Sequence, residues 1–372
     1  MKVAVLKEMV AGGKRVAAVP PTVEKMVAAG MEVFVEAGAG LASGFADADY
    51  GAAGAKVQAS PGALLESGDV LLKVQRPSAQ ELDGIPERVA VVAYSLQSRG
   101  DAELAERLKR RRISALSLDL LPRIARAQSM DVLSSMANIA GYKSVLIAAN
   151  ALGKFFPMLM TAAGTVLPAK VFVIGAGVAG LQAVATARRL GAVLSAFDIR
   201  PAVKEQVESL GARFVAVDLA EHAEDAKGYA KEVTAETARK ERELLLQELK
   251  STDACITTAL VPGKRAPVLV TAQMVEAMRA GSVIVDIAAE QGGNCELTDP
   301  GKEIVHQGVT IVGPLNIPSA MAFQASQLYS RNVLNFLMHL YDRQAKKVSL
   351  DPADEIVKGC LIAHAGEMLQ PV

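Results

Sequence analysis

Short apolar runs alternate with longer mixed segments along most of this chain. "KVAVL" reads as a strand, "PPTVEKMVAAG" as a helix opened by proline, and "MEVFVEAG" as the next strand. "DVLLKVQRP" and "RVAVVAYS" read as two more strands. "DAELAERLKRRR" has helical spacing, and "ISALSLDLL" follows it as a strand. Alternation of this kind predicts a parallel α/β sheet. A long helical stretch then runs from about Ser129 to Lys154 and stops at "FFP", because the residue before a proline avoids the helical region. The pattern restarts with "KVFVIG", "AVLSAFD", "ARFVAVD", "DACITTA", "GSVIVDIA" and "VTIVG", a second parallel sheet. Leu219 to Lys250 is polar, with few apolar anchors, and its first half is long for a strand-to-helix connection. It reads as a mobile loop or as a solvated helix. "GKEIVHQG" reads as a surface helix carrying His306, and "MAFQASQLYSRNVLNFLMHL" as an apolar helix that returns to cover the first domain.

The fold class expected is α/β, with two Rossmann-like doubly wound parallel-sheet domains joined by long helices. One domain takes residues 1–126 together with about 320–372, completed by the C-terminal helices. The other takes 127–319 and carries the mobile loop at about 219–240. The tail after Gln344 reads as a terminal helix or as a tether to a partner.

Composition narrows the function. Lys+Arg and Asp+Glu are both 40, so the chain lacks the basic surplus of a nucleic-acid binder. Cys255, Cys295 and Cys360 are odd in number and far apart, which suggests neither a disulfide framework nor a zinc site. A reducing cytoplasm is the expected compartment. The opening "MKVAVLKEMV" lacks the apolar core of a signal peptide. The most apolar stretch is broken by Lys154, Pro157, Pro168 and Lys170, so membrane spanning is expected of other chains.

The clearest chemistry is "GAGVAG", Gly175 to Gly180. A strand-like run precedes it, a helix-like run follows, and Asp198 ends the next strand at about the 20-residue distance of a dinucleotide-binding fingerprint. Gly175 permits the tight turn, Gly177 lets backbone approach the pyrophosphate, and Gly180 allows close helix–sheet packing. Asp198 suits the adenosine ribose hydroxyls and repels a 2′-phosphate, which favours NAD over NADP. Arg200 points the other way if it holds a 2′-phosphate; stacking on adenine or a surface role fits its position better. "TTALVPGKRAP" and "DIAAEQGGNCE" follow later strands and border the same crevice. Asp286 and Glu290 within the second are either acid–base groups or loop caps.

An NAD enzyme that oxidises an alcohol or amine also needs a base near its substrate. None of His222, His306, His339 and His364 sits in a crevice-forming motif. Arg15 and Lys73 suit a carboxylate, but no base accompanies them. One stretch remains: "RIARAQSMDVLSS" sets Arg123, Arg126, Gln128, Asp131, Ser134 and Ser135 among apolar neighbours. Gln128, Asp131 and Ser134 or Ser135 recur at helical spacing and would share a face. Alternatively, Ser129 and Asp131 simply cap the long helix.

To about residue 340 the chain resembles the NAD(H)-binding component of proton-translocating nicotinamide nucleotide transhydrogenase. The resemblance rests on "RVAAVPPTVEKM", "PRIARAQSMDVLSS", "GAGVAGLQAVATARRLGA", "FDIRP", "GYAKEV", "TTALVPGK", "VDIAAEQGGNCE" and "VGPLNIPS", in that order. Alanine dehydrogenase is the related class. It carries a catalytic histidine in a "YLHL" context, where this chain reads "AYSLQSR", and an Asp where this chain has Glu290. Arg15 and Lys73 match its pyruvate-binding residues.

The resemblance implies an NAD(P)+ transhydrogenase, Si-side specific and active only with partner subunits. NAD(H) would bind here and NADP(H) on a partner, with membrane-spanning partner chains moving protons. It implies that Arg123, Asp131 and Ser134 hold the nicotinamide carboxamide and that Gln128 reaches towards the second nucleotide. Val178, Asp198, Ile199, Arg200 and Leu260 would contact NAD, and Gly228 and Tyr229 would lie in a loop that closes over it. It also implies a homodimer, peripheral on the inner face of the cell membrane. The rivals are an alanine-dehydrogenase-like oxidoreductase and a non-catalytic NAD sensor.

Overall fold

The computed structural model describes residues 1–87, 89–96, 101–216, 235–261 and 264–370. The chain divides into two compact units, Met1–Met136 with Pro318–Val372, and Ala137–Ile317. The division falls inside the helix Val132–Ala151 and not before residue 127, so the polar cluster from Arg123 belongs with the first unit. The physical tie is a pair of amides. Asn332 and Asn335 Nδ2, on the helix Ala322–Leu340, both donate to the Ser129 carbonyl, at 2.9 and 3.0 Å.

The first unit holds an eight-stranded sheet. Its strands lie in the order Glu367–Met368, Leu361–His364, Ser114–Ser117, Ala90–Ala93, Val70–Leu72, Lys2–Val5, Glu32–Glu36 and Lys56–Gln58. The last six are parallel. The central strands Val70–Leu72, Ala90–Ala93 and Ser114–Ser117 are buried throughout, as expected of parallel strands covered on both faces. The tail is neither a terminal helix nor a free tether. After the short helix Glu355–Cys360 it enters this sheet as an antiparallel strand against Ser114–Ser117 and turns back as a hairpin. The helix Ala322–Leu340 packs within this unit. Ser326 Oγ accepts the Val16 N–H at 3.0 Å, and the Tyr329 hydroxyl donates to the Lys73 carbonyl at 2.8 Å.

The second unit holds a seven-stranded sheet in the order Arg213–Val215, Val193–Phe197, Lys170–Ile174, Ala254–Thr257, Val283–Asp286, Val309–Val312 and Glu303–His306. Six strands are parallel and the last is antiparallel. His306 therefore lies on an edge strand, not on a surface helix. Gln307 and Gly308, at φ 46° and 82°, form the two-residue turn to Val309, the positive-φ geometry that suits a tight hairpin.

Two further boundaries differ from the pattern. The long helix begins at Val132 because Asp131 is extended, at φ −72° and ψ 93°, and separates it from a 3-10 turn over Ala125–Met130. The expected loop at 219–240 falls largely on residues 217–234, outside the described residues. From Ala235 the chain is helical to Leu249, whose side chain joins Leu245 in the core. Among the described residues the helix Val132–Ala151 is long and apolar enough to cross a membrane by length and composition. Its Val145 and Ala148 are core residues of the second unit.

Gly141, on this helix, lies against the start of the helix Val178–Arg189. A Cβ at Gly141 would stand 2.1 Å from the Ala179 carbonyl oxygen. Helix propensity alone would favour Gly141→Ala by about 1 kcal/mol, but the obstacle is backbone and cannot swing away. Gly141→Ala should lower stability by about 2 kcal/mol net of the propensity gain, read as a lower urea midpoint. A raised midpoint would show that the two helices are not in this contact.

Candidate nucleotide site

The strand Lys170–Ile174 is the switch point of its sheet. Val193–Phe197 flanks it on one side and Ala254–Thr257 on the other. The carboxyl ends of these strands border the crevice in which open α/β sheets bind ligands. Three glycines there answer to three different constraints. Gly175 has φ +95°, and a Cβ on it would meet Thr258 Oγ1 at 2.5 Å. Gly180 lies so close to the strand end that a Cβ would stand 1.8 Å from the Gly175 carbonyl oxygen. Gly177 has an ordinary φ of −75°, and a Cβ on it would meet nothing within 4 Å. Neither backbone strain nor packing demands a glycine at 177. What it preserves is open space at the N-terminus of the helix Val178–Arg189, which has no side-chain cap. Free amides and a positive dipole end facing open space fit a pyrophosphate.

Asp198 follows Val193–Phe197 at the same edge. Its carboxylate accepts the Ala176 N–H at 2.7 Å and the Arg200 N–H at 2.9 Å. The Arg200 guanidinium adds a fork, with Nε on Oδ1 and Nη2 on Oδ2, both at 2.9 Å. The loop after Ala254–Thr257 is held from two sides. Thr258 Oγ1 donates to the Gly175 carbonyl at 3.0 Å. The Asn294 amide, fully buried, accepts from Ala259 N–H at 2.9 Å and donates to the carbonyls of Ala259 and Pro267 at 2.8 Å each. Leu260, 40% exposed, is next to this clamp, and Val178, 41% exposed, opens the glycine-rich helix.

Two further crevice-side carboxylates, Asp286 and Glu290, are both engaged in loop contacts. Asp286 is fully buried and takes four donors: the Thr257 hydroxyl at 2.9 Å, Ala288 N–H at 3.1 Å, Cys295 N–H at 2.9 Å and the Thr298 hydroxyl at 2.6 Å. Glu290 accepts the Asn316 N–H. Of their two possible roles, loop fastening is the one the geometry supports. Burial pushes the Cys255 thiol well up and holds Cys295 at about 11, so neither is a ready nucleophile. His306 stands 3.2 Å from Glu276 at the opposite end of the sheet, opposite Val309 in the hairpin register. His339 lies 3.0 Å from Asp354 and His364 2.9 Å from Ser114 Oγ, both in the first unit. His222, Gly228 and Tyr229 lie outside the described residues.

The first unit carries the other predicted residues. Arg123 and Gln128 are exposed. Gln128 lies in the 3-10 turn Ala125–Met130, so it does not share an α-helical face with Asp131 and Ser134 as the spacing suggested. Asp131 caps the following helix, accepting Ser134 N–H at 2.9 Å and the Ser134 hydroxyl at 2.5 Å. Ser129 does not share in that cap; its carbonyl is the one Asn332 and Asn335 grip. Buried Lys73 pairs with Glu81 at 2.5 Å. Glu8 accepts the Val74 N–H at 2.6 Å; burial raises its pKa, only partly opposed by the Lys73 charge. Thr258 and Asn294 carry no individual signal in the sequence, although both lie in the motifs "TTALVPGKRAP" and "DIAAEQGGNCE" that border the crevice.

The fold and this crevice define a dinucleotide-binding α/β protein. The profile described as alanine dehydrogenase/PNT, N-terminal domain, matches residues 4–140, and that for the C-terminal domain matches 144–371. The chain belongs to this family. It is 48% identical to the first segment of the NAD(P) transhydrogenase alpha subunit of Rhodospirillum rubrum, over 100% of this chain and 98% of that one. Among solved structures, the transhydrogenase of Sinorhizobium meliloti is 45% identical with a TM-score of 0.90, covering 99% of this chain and 100% of that one. An L-alanine dehydrogenase is 31% identical with a TM-score of 0.83, covering 100% and 97%.

Replacing Asn294 by Ala strands one amide and two carbonyls around the Leu260 loop. Asn294→Ala should cost about 2–3 kcal/mol in denaturant unfolding and weaken NADH binding in titration. Asn294→Asp keeps the acceptor for Ala259 N–H but offers no amide to the two carbonyls and buries a charge, so it should cost at least as much as alanine. Unchanged NADH affinity in the alanine variant would show that the clamp does not set the loop.

Proposed function

We propose that this chain is the NAD(H)-binding component of a proton-translocating transhydrogenase, with hydride passing directly from NADH held here to NADP+ held on a partner polypeptide. The observation that carries the reading is that the described crevice-side carboxylates are committed within the chain, Asp286 and Glu290 to loop hydrogen bonds and Asp198 to Ala176 and Arg200, with no described histidine at that end of the sheet. The site is equipped to hold a dinucleotide and lacks, among the described residues, a group to take a proton from a small substrate. Transfer between two nicotinamides needs none, since hydride leaves one C4 and joins another and no proton leaves either ring. What remains is positioning: the two C4 atoms brought to about 3–3.5 Å with water excluded.

In this reading Gly175, Gly177, Val178 and Gly180 receive the pyrophosphate, and Asp198, Ile199 and Arg200 line the adenosine end. Leu260 borders the nucleotide, and Gly228 and Tyr229, which lie outside the described residues, contact it. Arg123, Asp131 and Ser134 orient the carboxamide, and Gln128 reaches towards the NADP(H) of the partner. Exposure of Gln128 and its fixed turn support that last role. The chain would act as a homodimer, peripheral on the inner face of the cell membrane, with membrane-spanning subunits carrying the proton path. Retained Arg15 and Lys73 favour an alanine-dehydrogenase-like reading. The Glu81 ion pair on Lys73 weighs against it.

Alone, the protein should bind NADH and show negligible transhydrogenation; adding an NADP(H)-binding component should restore turnover. Efficient reduction of NADP+ by the isolated chain would refute the division of labour, and NADH-dependent reductive amination of pyruvate would favour the dehydrogenase. With the partner supplied, Gln128→Asn should keep NADH affinity and lose at least about tenfold in hydride transfer, roughly 1.4 kcal/mol of transition-state positioning. Unchanged turnover would dismiss the bridging role.

A further inference from the structure

The Asp198 carboxylate is saturated by its own chain. An ionised carboxylate offers about four acceptor sites, and four donors fill them here. Oδ1 takes the Arg200 backbone N–H and Nε, and Oδ2 takes the Ala176 N–H and Arg200 Nη2, at 2.7 to 2.9 Å. Two of the four donors are backbone amides fixed by the glycine-rich turn and by the residue following Ile199. The other two belong to one side chain, itself 20% exposed, whose carboxylate partner is 7% exposed. A ribose diol that donates to Asp198 must take the place of the guanidinium, because the amides cannot leave without unmaking the turn.

We propose that Arg200 is the specificity-determining residue of the site, acting as an exchangeable counter-ion of Asp198. Binding of an adenosine ribose with a free 2′-hydroxyl swaps two guanidinium bonds for two hydroxyl bonds, and the displaced arginine stays beside the ribose. A 2′-phosphate meets the pair differently: the acid repels it, and the arginine attracts it and compensates. The fork thus weakens binding of the unphosphorylated nucleotide and softens rejection of the phosphorylated one. A lone acid at 198 would discriminate more sharply than this pair does. The inference rests on the proposed nucleotide site of the second unit, and it opposes the simpler idea that Arg200 only grips adenine.

The test is titration of the whole chain with NADH and with NADPH at one ionic strength, for wild type, Arg200→Ala, Arg200→Met and Arg200→Lys. Methionine keeps an unbranched stem without the charge, so a folding defect peculiar to alanine is recognised. Removing the charge should tighten NADH about two- to fivefold, the scale of a partly exposed ion pair released. It should also widen the NADPH-to-NADH ratio of Kd by about tenfold, since an uncompensated carboxylate then faces the 2′-phosphate. Lysine keeps the charge and loses the fork, so its ratio should stay near wild type. Weaker NADH binding in both neutral variants with an unchanged ratio would assign Arg200 to a direct grip and overturn the exchange. Unchanged values throughout would overturn it as well. Wild type that binds neither nucleotide would sink the underlying site, an outcome distinct from a wild type that binds NADH while the variants behave identically.

Discussion

A helix can offer its first amides to a phosphate only where nothing stands in front of its N-terminus. In this chain that arrangement hangs on the approach of Gly180 to the Gly175 carbonyl, 1.8 Å from where a Cβ would stand. Any side chain there would force the helix off the strand end and close the gap that Gly177 leaves open. Gly141 makes a comparable approach on the far side, to Ala179. The start of the helix Val178–Arg189 is therefore gripped by backbone contact from both the strand and the long helix Val132–Ala151. Backbone contacts of this kind do not relax by rotamer change, which suits a site that must hold one geometry.

Around that fixed point the polar groups divide into those that build the site and those left over for a ligand. Asp286 and Asn294 look at first like catalytic residues: one a buried acid, the other a buried amide, both in a crevice-side loop. Their hydrogen bonds account for them instead as fasteners of the loops at 257–260 and 286–298. With these spoken for, the crevice retains amides, an acid–arginine pair and exposed apolar edges at Val178 and Leu260. That inventory matches nucleotide holding and, among the described residues, gives no means of activating a metabolite. It is the physical reason for preferring hydride exchange between two nucleotides over amino-acid oxidation, despite 31% identity to an alanine dehydrogenase structure.

Most strands of both sheets were legible because each is an apolar run closed by turn residues, and Asp198 was legible because it ends one of them. Glu303–His306 was not: its alternating exposure, set by an edge position, mimics a surface helix in so short a run, and Gln307-Gly308 is a weaker hairpin signal than Asn-Gly. The start of the long helix was misplaced because capping by Asp131 was one of two readings, and only the backbone distinguishes them. Thr258 and Asn294 were invisible as individuals. Their partners, Gly175, Ala259 and Pro267, are brought to them by tertiary folding, and Asn294 reaches Ala259 across 35 positions of sequence.

The central claim is that reducing equivalents leave this chain as hydride bound for another nucleotide, with no exchange of the moving hydrogen with water. Mass spectrometry of NADPH formed from NADH deuterated at the transferred C4 position, in the presence of this chain and an NADP(H)-binding component, tests it most directly. Complete retention of the label at C4 of NADPH is the expected result. Loss of the label to solvent, or its appearance in an amino acid formed from added pyruvate and ammonia, would contradict the account.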